Sequence, residues 1–154
     1  MNFEPILNGW LAIGPRPKLK DLRSEKFSEV DTVITLLKPN EGADLIRASL
    51  APGVSWYNFP FTLREASRSG DAVDRVQKAA SCLVSQLKDK RIVYLHCSAG
   101  IHRTGTVTLT ALLMVGLDFE DAKKTLKKLR TECVTNAVEE FFEIAGEAAR
   151  KFRT

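Results

Sequence analysis

The chain has 154 residues, enough for one domain with one sizeable core. Hydrophobic residues make up 44% and charged residues 27%, a globular composition, and no apolar run approaches the roughly 20 residues of a membrane-spanning helix. The formal net charge of +4 favours anionic ligands but falls short of a nucleic-acid-binding signature, so nucleic acid is not the expected partner. The first ten residues lack the basic start and apolar core of a secretion signal, and a cytoplasmic location is expected. There are three cysteines, Cys82, Cys97 and Cys133, and two histidines. An odd cysteine count without a CxxC pair excludes a disulfide framework and a structural zinc site as leading readings.

In chain order, Leu11 to Ile13 is a short apolar run stopped by Gly14-Pro15, which predicts a strand and a turn. Leu19 to Phe27 fits a helix. Thr32 to Leu37 is rich in β-branched residues and ends at Lys38-Pro39-Asn40, the pattern of a buried strand. Glu41 to Leu50 predicts a second helix, and Val54 to Phe61 a strand. Thr62 to Gly70 reads as a loop. Val73, Val76, Ala80, Leu83, Val84 and Leu87 recur at helical spacing, so Asp71 to Leu87 is an amphipathic helix with Asp71 as its N-cap. Arg91 to His96 is a strand. Arg103 to Val115, Asp118 to Leu129 and Val134 to Phe152 predict three further helices, expected to cover one face of the sheet. Strands alternating with helices imply a single-domain, three-layer α/β fold over residues 1 to 154, with a mostly parallel central sheet flanked by helices.

The chemistry lies in His96-Cys97-Ser98-Ala99-Gly100-Ile101-His102-Arg103-Thr104-Gly105, between a predicted strand and a predicted helix. A helix N-terminus offers free N–H groups and the positive end of its dipole. A loop there can wrap the backbone donors of Ser98, Ala99, Gly100, Ile101, His102 and Arg103 around a phosphate. Cys97 would sit on the floor of this cradle, where dipole and N–H groups favour a nucleophilic thiolate. Arg103, six positions on, can return to the rim and meet two phosphate oxygens with its planar fork. Thr104 is placed to hydrogen-bond the sulfur as it departs, and His96 to orient the loop through its ring.

This segment resembles the CxxxxxR-Ser/Thr signature of the cysteine-based protein tyrosine phosphatase superfamily. The stretch HCSAGI-x-RTGT is similar to that of the longer tyrosine-specific members, which carry Gly where this chain has His102. The His-Arg-Thr-Gly ending and the chain length resemble the small, atypical dual-specificity branch. Gly9 to Gly14 is similar to the family's opening strand, and Thr32 to Leu37 to its second. The resemblance implies hydrolysis of phosphate monoesters through a phosphocysteine, without metal or organic cofactor. It implies a phosphorylated protein or small phosphorylated molecule as partner; a monomer is expected.

The same resemblance implies a general acid, normally an aspartate after a proline in a loop before the cysteine. Here Phe59-Pro60-Phe61 puts Phe61 at that place. Glu65, 32 positions before Cys97, is one candidate, and Asp71 another. With neither, the leaving group departs unassisted, which suits aryl phosphates and phosphoanhydrides. Other functions compatible with the motif are hydrolysis of phosphoinositides, inositol pyrophosphates or RNA 5′-triphosphate ends, and phosphate binding without turnover. A rhodanese-type sulfurtransferase also uses a cysteine loop but fits the CxxxxxRT spacing poorly. Arg64 and Arg68 read as solvated loop arginines or as contacts for a second phosphate or an acidic substrate, and Cys82 and Cys133, Trp10 and Trp56, Phe141 and Phe142, and the lysines from Lys123 to Lys128 read as structural or solvated residues.

Overall fold

The computed structural model describes residues 1–153. Its strands are β1 (Glu4–Ile6), β2 (Gly9–Gly14), β3 (Thr32–Thr35), β4 (Ser55–Asn58) and β5 (Ile92–His96). They form a five-stranded sheet in the order β1-β2-β5-β3-β4. β2, β5, β3 and β4 are parallel, and only β1 runs against its neighbour. The helices are α1 (Ala43–Ser49), α2 (Leu63–Ser69), α3 (Ala72–Lys88), α4 (His102–Met114), α5 (Phe119–Leu129), α6 (Glu132–Thr135) and α7 (Glu139–Arg153).

The period-2 alternation of strand side chains divides the interior into two cores. Leu11, Ile13, Ile34, Leu36, Val93 and Leu95 face the larger one, with the inner faces of α3, α4, α5 and α7. Ala12, Val33 and Tyr94 face the smaller one, where Leu22, Phe27, Ala43 and Ile46 cover the sheet. The result is three layers, with β5 at the centre. The carboxyl ends of β2, β5 and β3 therefore meet at one edge of the sheet, the place where α/β folds build ligand sites.

Several elements differ from the sequence expectation. The segment from Leu19 to Phe27 forms two 3₁₀ turns, Leu19–Arg23 and Glu25–Phe27, rather than one helix. Ser24 separates them, its hydroxyl donating to Asp21 O and accepting from Lys26 N. The helix expected from Glu41 opens as a 3₁₀ turn at Pro39–Glu41 and is broken by Gly42 at φ 90° before α1 begins. β4 stops at Asn58 because Pro60 has no N–H for the ladder. The expected final helix is split into α6 and α7. β1, three residues containing Pro5, is too short to show alternation and sits on an edge that tolerates proline. Asp71 does occupy the N-cap position of α3, but its carboxylate makes no capping bond. It binds Ser69 Oγ and Arg75 Nε instead. The larger face is covered by α3 as well as by the C-terminal helices.

The loop expected from Thr62 to Gly70 is helix α2. Thr62 Oγ1 accepts from Glu65 N at 3.2 Å, Leu63 and Ala66 are buried, and Gly70 closes the helix at φ 79°. Thr62 and Glu65 have the S/T-x-x-E spacing of a capping box, a start signal legible in the sequence. Replacing Thr62 by Ala should destabilise α2 by about 1 kcal/mol. Amide hydrogen exchange across Leu63–Ser69 should then quicken about fivefold, with the exchange of β5 unchanged.

Candidate active site

β5 is a run of apolar residues buried between two neighbouring strands, and it delivers His96 and Cys97 to the carboxyl edge of the sheet. The chain then turns through Ser98 to Ile101 into α4. Gly100 has φ 72°, the left-handed region. A β-carbon there would collide with the backbone of Gly14 and the nitrogen of Pro15. The end of β2 is thus the outer wall of the loop. Gly14 leaves room for the Tyr94 hydroxyl, which donates to Pro15 O at 2.7 Å.

Four consecutive carbonyls of the loop are held from outside, each by a different donor. Cys97 O lies 3.1 Å from His96 Nδ1. Ser98 O accepts from Arg16 N at 2.9 Å. Ala99 O accepts from Arg130 Nη2 at 3.2 Å, and Gly100 O from Cys133 Sγ at 3.4 Å. With the carbonyls turned outward, the N–H groups are free to converge, and Gly100 N donates to Cys97 Sγ at 3.3 Å. The N-terminus of α4 carries no side-chain cap at Ile101, so its first N–H groups join the same concavity. Cys97 is 3% exposed. Ser98, Ala99 and His102 are exposed on the rim, and the His102 ring meets Phe141 edge-on at 5.5 Å.

Arg103 extends from the first turn of α4 toward the loop after β3. Its Nη1 and Nη2 each donate to one oxygen of Glu41 at 2.8 Å. Nη1 also donates to Leu36 O at 3.2 Å and Phe61 O at 2.9 Å. Glu41 thus fixes the guanidinium plane, and the Arg103 bond holds its carboxyl well below the usual range, at about 2. Thr104 Oγ1 is buried without a hydrogen-bond partner among the described residues. The three cysteines are all free thiols. Burial pushes Cys133 up to about 12 and Cys82 up to about 11, so both stay protonated.

Neither carboxylate considered as proton donor has the required setting. Glu65 is exposed on α2 and binds Lys38 Nζ at 2.8 Å, which lowers its pKa. Asp71 is lowered by Ser69 and by Arg75. A general acid at neutral pH needs the opposite shift. Phe61 is 3% exposed, its side chain in the core and its carbonyl on Arg103.

Sequence reasoning did not single out Glu41 or Arg16, it matched Arg130 only through the resemblance of Leu129-Arg130 to a later helix of the superfamily, and it took Cys133 as packing. Glu41 was masked by its position at an expected helix start. Gly14-Pro15, read as a simple turn, was the one available signal that β2 ends against the loop.

Residues 21–124 match the profile of the tyrosine phosphatase family, and the chain belongs to that family. The fold is that of Tk-PTP in its active form, with a TM-score of 0.72 and 21% identity over 95% of each chain. Human DUSP28 superposes with a TM-score of 0.72 at 14% identity, over 98% of this chain and 97% of that one. Kinase associated phosphatase, crystallised with serine replacing its catalytic site cysteine, gives 0.68 at 18% identity over 94% and 87%. At these identities the likeness is one of fold. No curated protein sequence gives a significant match.

Two outcomes follow from the geometry. Gly100→Ala should lower stability in urea by about 2 kcal/mol or more, since both the backbone conformation and the contact with Gly14 forbid a β-carbon. Glu41 has a folded pKa below its ordinary value of 4.5, so its stabilisation is complete above that value and lost as pH falls through about 2. Glu41→Gln should therefore be less stable by about 2 kcal/mol at pH 7, less than the roughly 3–5 of a fully buried pair. Urea titrations at pH 7, 4 and 2.5 should show the difference shrinking toward the lowest pH.

Proposed function

We propose that the protein hydrolyses phosphate monoesters through a phosphocysteine on Cys97, as one phosphatase-like domain over residues 1–154 that acts as a monomer in the cytoplasm. The observation that carries this reading is the outward anchoring of four successive loop carbonyls, which leaves the N–H groups and the α4 N-terminus turned on Cys97.

In the first step the Cys97 thiolate attacks phosphorus. An S–P bond forms, the P–O bond to the leaving group breaks, and the leaving oxygen takes the electron pair. Loop N–H groups from Ser98 to Arg103 and the Arg103 guanidinium hold the three equatorial oxygens, where charge accumulates. Nη1 and Nη2 of Arg103 each have one hydrogen on Glu41, so the remaining N–H bonds are oriented before substrate arrives. In the second step water attacks phosphorus, the P–S bond breaks, and the water's protons leave on the released phosphate. The electron pair returns to sulfur, and the Thr104 hydroxyl turns to stabilise the thiolate. The structural neighbour kinase associated phosphatase also has a catalytic site cysteine.

With Glu65 and Asp71 both held as carboxylates, the leaving oxygen departs without a strong internal acid. Aryl phosphates then react well and alkyl phosphates poorly, which favours phosphotyrosine over phosphoserine and phosphothreonine. The same feature supports a second reading, in which a phosphoanhydride of a small molecule is the substrate.

Hydrolysis of para-nitrophenyl phosphate from pH 4 to 8 tests this. Cys97→Ser should abolish turnover, while Glu65→Gln and Asp71→Asn should stay within about twofold of the parent. Across substituted aryl phosphates the rate should fall steeply as the leaving-group pKa rises. No turnover by the folded, reduced protein, together with tight vanadate binding, would leave a phosphate-binding module in place of an enzyme.

A further inference from the structure

His96 has no exposed surface, and burial lowers its pKa to about 4. Its two ring nitrogens each have one partner. Nδ1 lies 3.1 Å from Cys97 O, and Nε2 lies 2.8 Å from Thr35 Oγ1. Thr35 Oγ1 in turn receives the indole N–H of Trp56 at 2.9 Å. The three residues share one face of three adjacent strands. Thr35 is the register partner of His96 across β3 and β5, and Trp56 is diagonal to Thr35 across β3 and β4.

The direction of every bond in this chain is forced by its two ends. A carbonyl only accepts, so His96 Nδ1 carries a hydrogen. An indole nitrogen only donates, so one lone pair of Thr35 Oγ1 is taken. The Thr35 hydroxyl is fully buried and has one hydrogen to place. His96 Nε2 is the acceptor within reach, and it accepts only if it is unprotonated. An imidazolium would leave the Thr35 hydrogen without an acceptor. The charged groups that act on His96, Arg16 and Arg103, also oppose a positive ring. Tyr94, stacked on it at 5.8 Å, is kept protonated because burial raises its pKa.

We propose that Trp56 and Thr35 are positioning residues that lock His96 as its neutral Nδ1–H tautomer and thereby hold the Cys97 carbonyl outward. Its effect on turnover rests on the reading of Cys97 as nucleophile; the tautomer itself does not. The lock separates two jobs. His96 supplies no positive charge to the Cys97 thiolate, and the loop N–H groups, the α4 N-terminus and Arg103 carry that charge alone. What His96 provides is the outward pull on the first carbonyl of the loop, made rigid by a relay that starts on the surface-facing strand β4. Trp56 is half-buried beneath Arg47, whose guanidinium lies 5.7 Å from the ring centroid, so its packing and its N–H are separable by mutation.

The test uses ¹⁵N-histidine-labelled protein, with ring nitrogen shifts recorded from pH 5 to 8 alongside para-nitrophenyl phosphate kinetics. The parent should show one protonated and one pyridine-like nitrogen for His96 throughout this range. Trp56→Phe keeps the aromatic packing and removes the donor, and Thr35→Val removes the hydroxyl. Both should bring His96 into titration or into a mixture of tautomers, and lower kcat about tenfold with KM within about twofold. Thr35→Ser keeps a hydroxyl and should restore the parent spectrum and rate. An Nε2–H tautomer or an imidazolium in the parent at pH 7 overturns the proposal. So do parent-like His96 shifts in folded Trp56→Phe and Thr35→Val, or a Thr35→Ser variant that behaves as Thr35→Val. A parent with the expected shifts but no phosphatase activity upholds the relay and removes the catalytic reading of Cys97.

Discussion

A loop that turns its N–H groups toward a bound anion gives up the hydrogen bonds that would otherwise hold it together. Its carbonyls then need partners from elsewhere, or the loop collapses onto itself. Here every carbonyl from Cys97 to Gly100 has one, and the donors come from the end of β5, the turn after β2, the end of α5 and the start of α6. Elements far apart in sequence are thus bound to four consecutive residues. The small size of Gly14 and Gly100 lets the β2 end approach closely enough to supply one of these bonds. The buried thiol of Cys133 has the same logic. A sulfur that cannot ionise remains a donor, and it spends that donor on Gly100 O.

The second constraint is electrostatic. Arg103 is mostly buried, and an unpaired guanidinium there would be strongly unfavourable. The bidentate pair with Glu41 neutralises it and fixes its plane, while Leu36 O and Phe61 O share the other hydrogen of Nη1. Both carbonyls belong to segments that leave the sheet at the carboxyl edge. The geometry of the clamp therefore depends on where β3 and β4 end. Asn58 ties those ends together, its side-chain amide donating to Thr35 O at 2.8 Å and Leu37 O at 3.0 Å.

The sequence made the loop and its flanking strand and helix plain, because a β-prone apolar run, a glycine, and the Cys97–Arg103 spacing fall in one short window. Local patterns also marked α3, α4 and α5, whose apolar residues recur at helical spacing over many turns. What stayed hidden was set by contacts across the chain. Glu41 carries no local sign that Arg103 will reach it. The partnership of Trp56, Thr35 and His96 follows only from the register of β4, β3 and β5, and register is a property of the assembled sheet. The short helix α2 is a different case. Its capping signal at Thr62 and Glu65 was present, but the polar run that follows it resembled a loop.

On the proposed reading, the site concentrates its charge stabilisation on the phosphate and provides little for the leaving group. Phe61 occupies the core where a carboxylate would be useful, Glu65 and Asp71 are held ionised, and His96 is kept neutral with both nitrogens engaged. Lys38 lowers the pKa of Glu65, Ser69 and Arg75 lower that of Asp71, and burial lowers that of His96, so each of these shifts runs against a proton donor at neutral pH. On the proposed reading, selectivity then arises from bond chemistry more than from pocket shape. A phenolate or a phosphate departs readily as an anion, whereas the alkoxide of serine or threonine does not. Placing an acid near the leaving oxygen would broaden the substrate range. The position most directly linked to the clamp for that purpose is Phe61, whose carbonyl already binds Arg103. Its side chain, however, fills part of the larger core, so a carboxylate there would first have to be drawn out of apolar surroundings. The burial of Phe61 in the core and the lack of a carboxylate at that position are thus one fact seen from two sides.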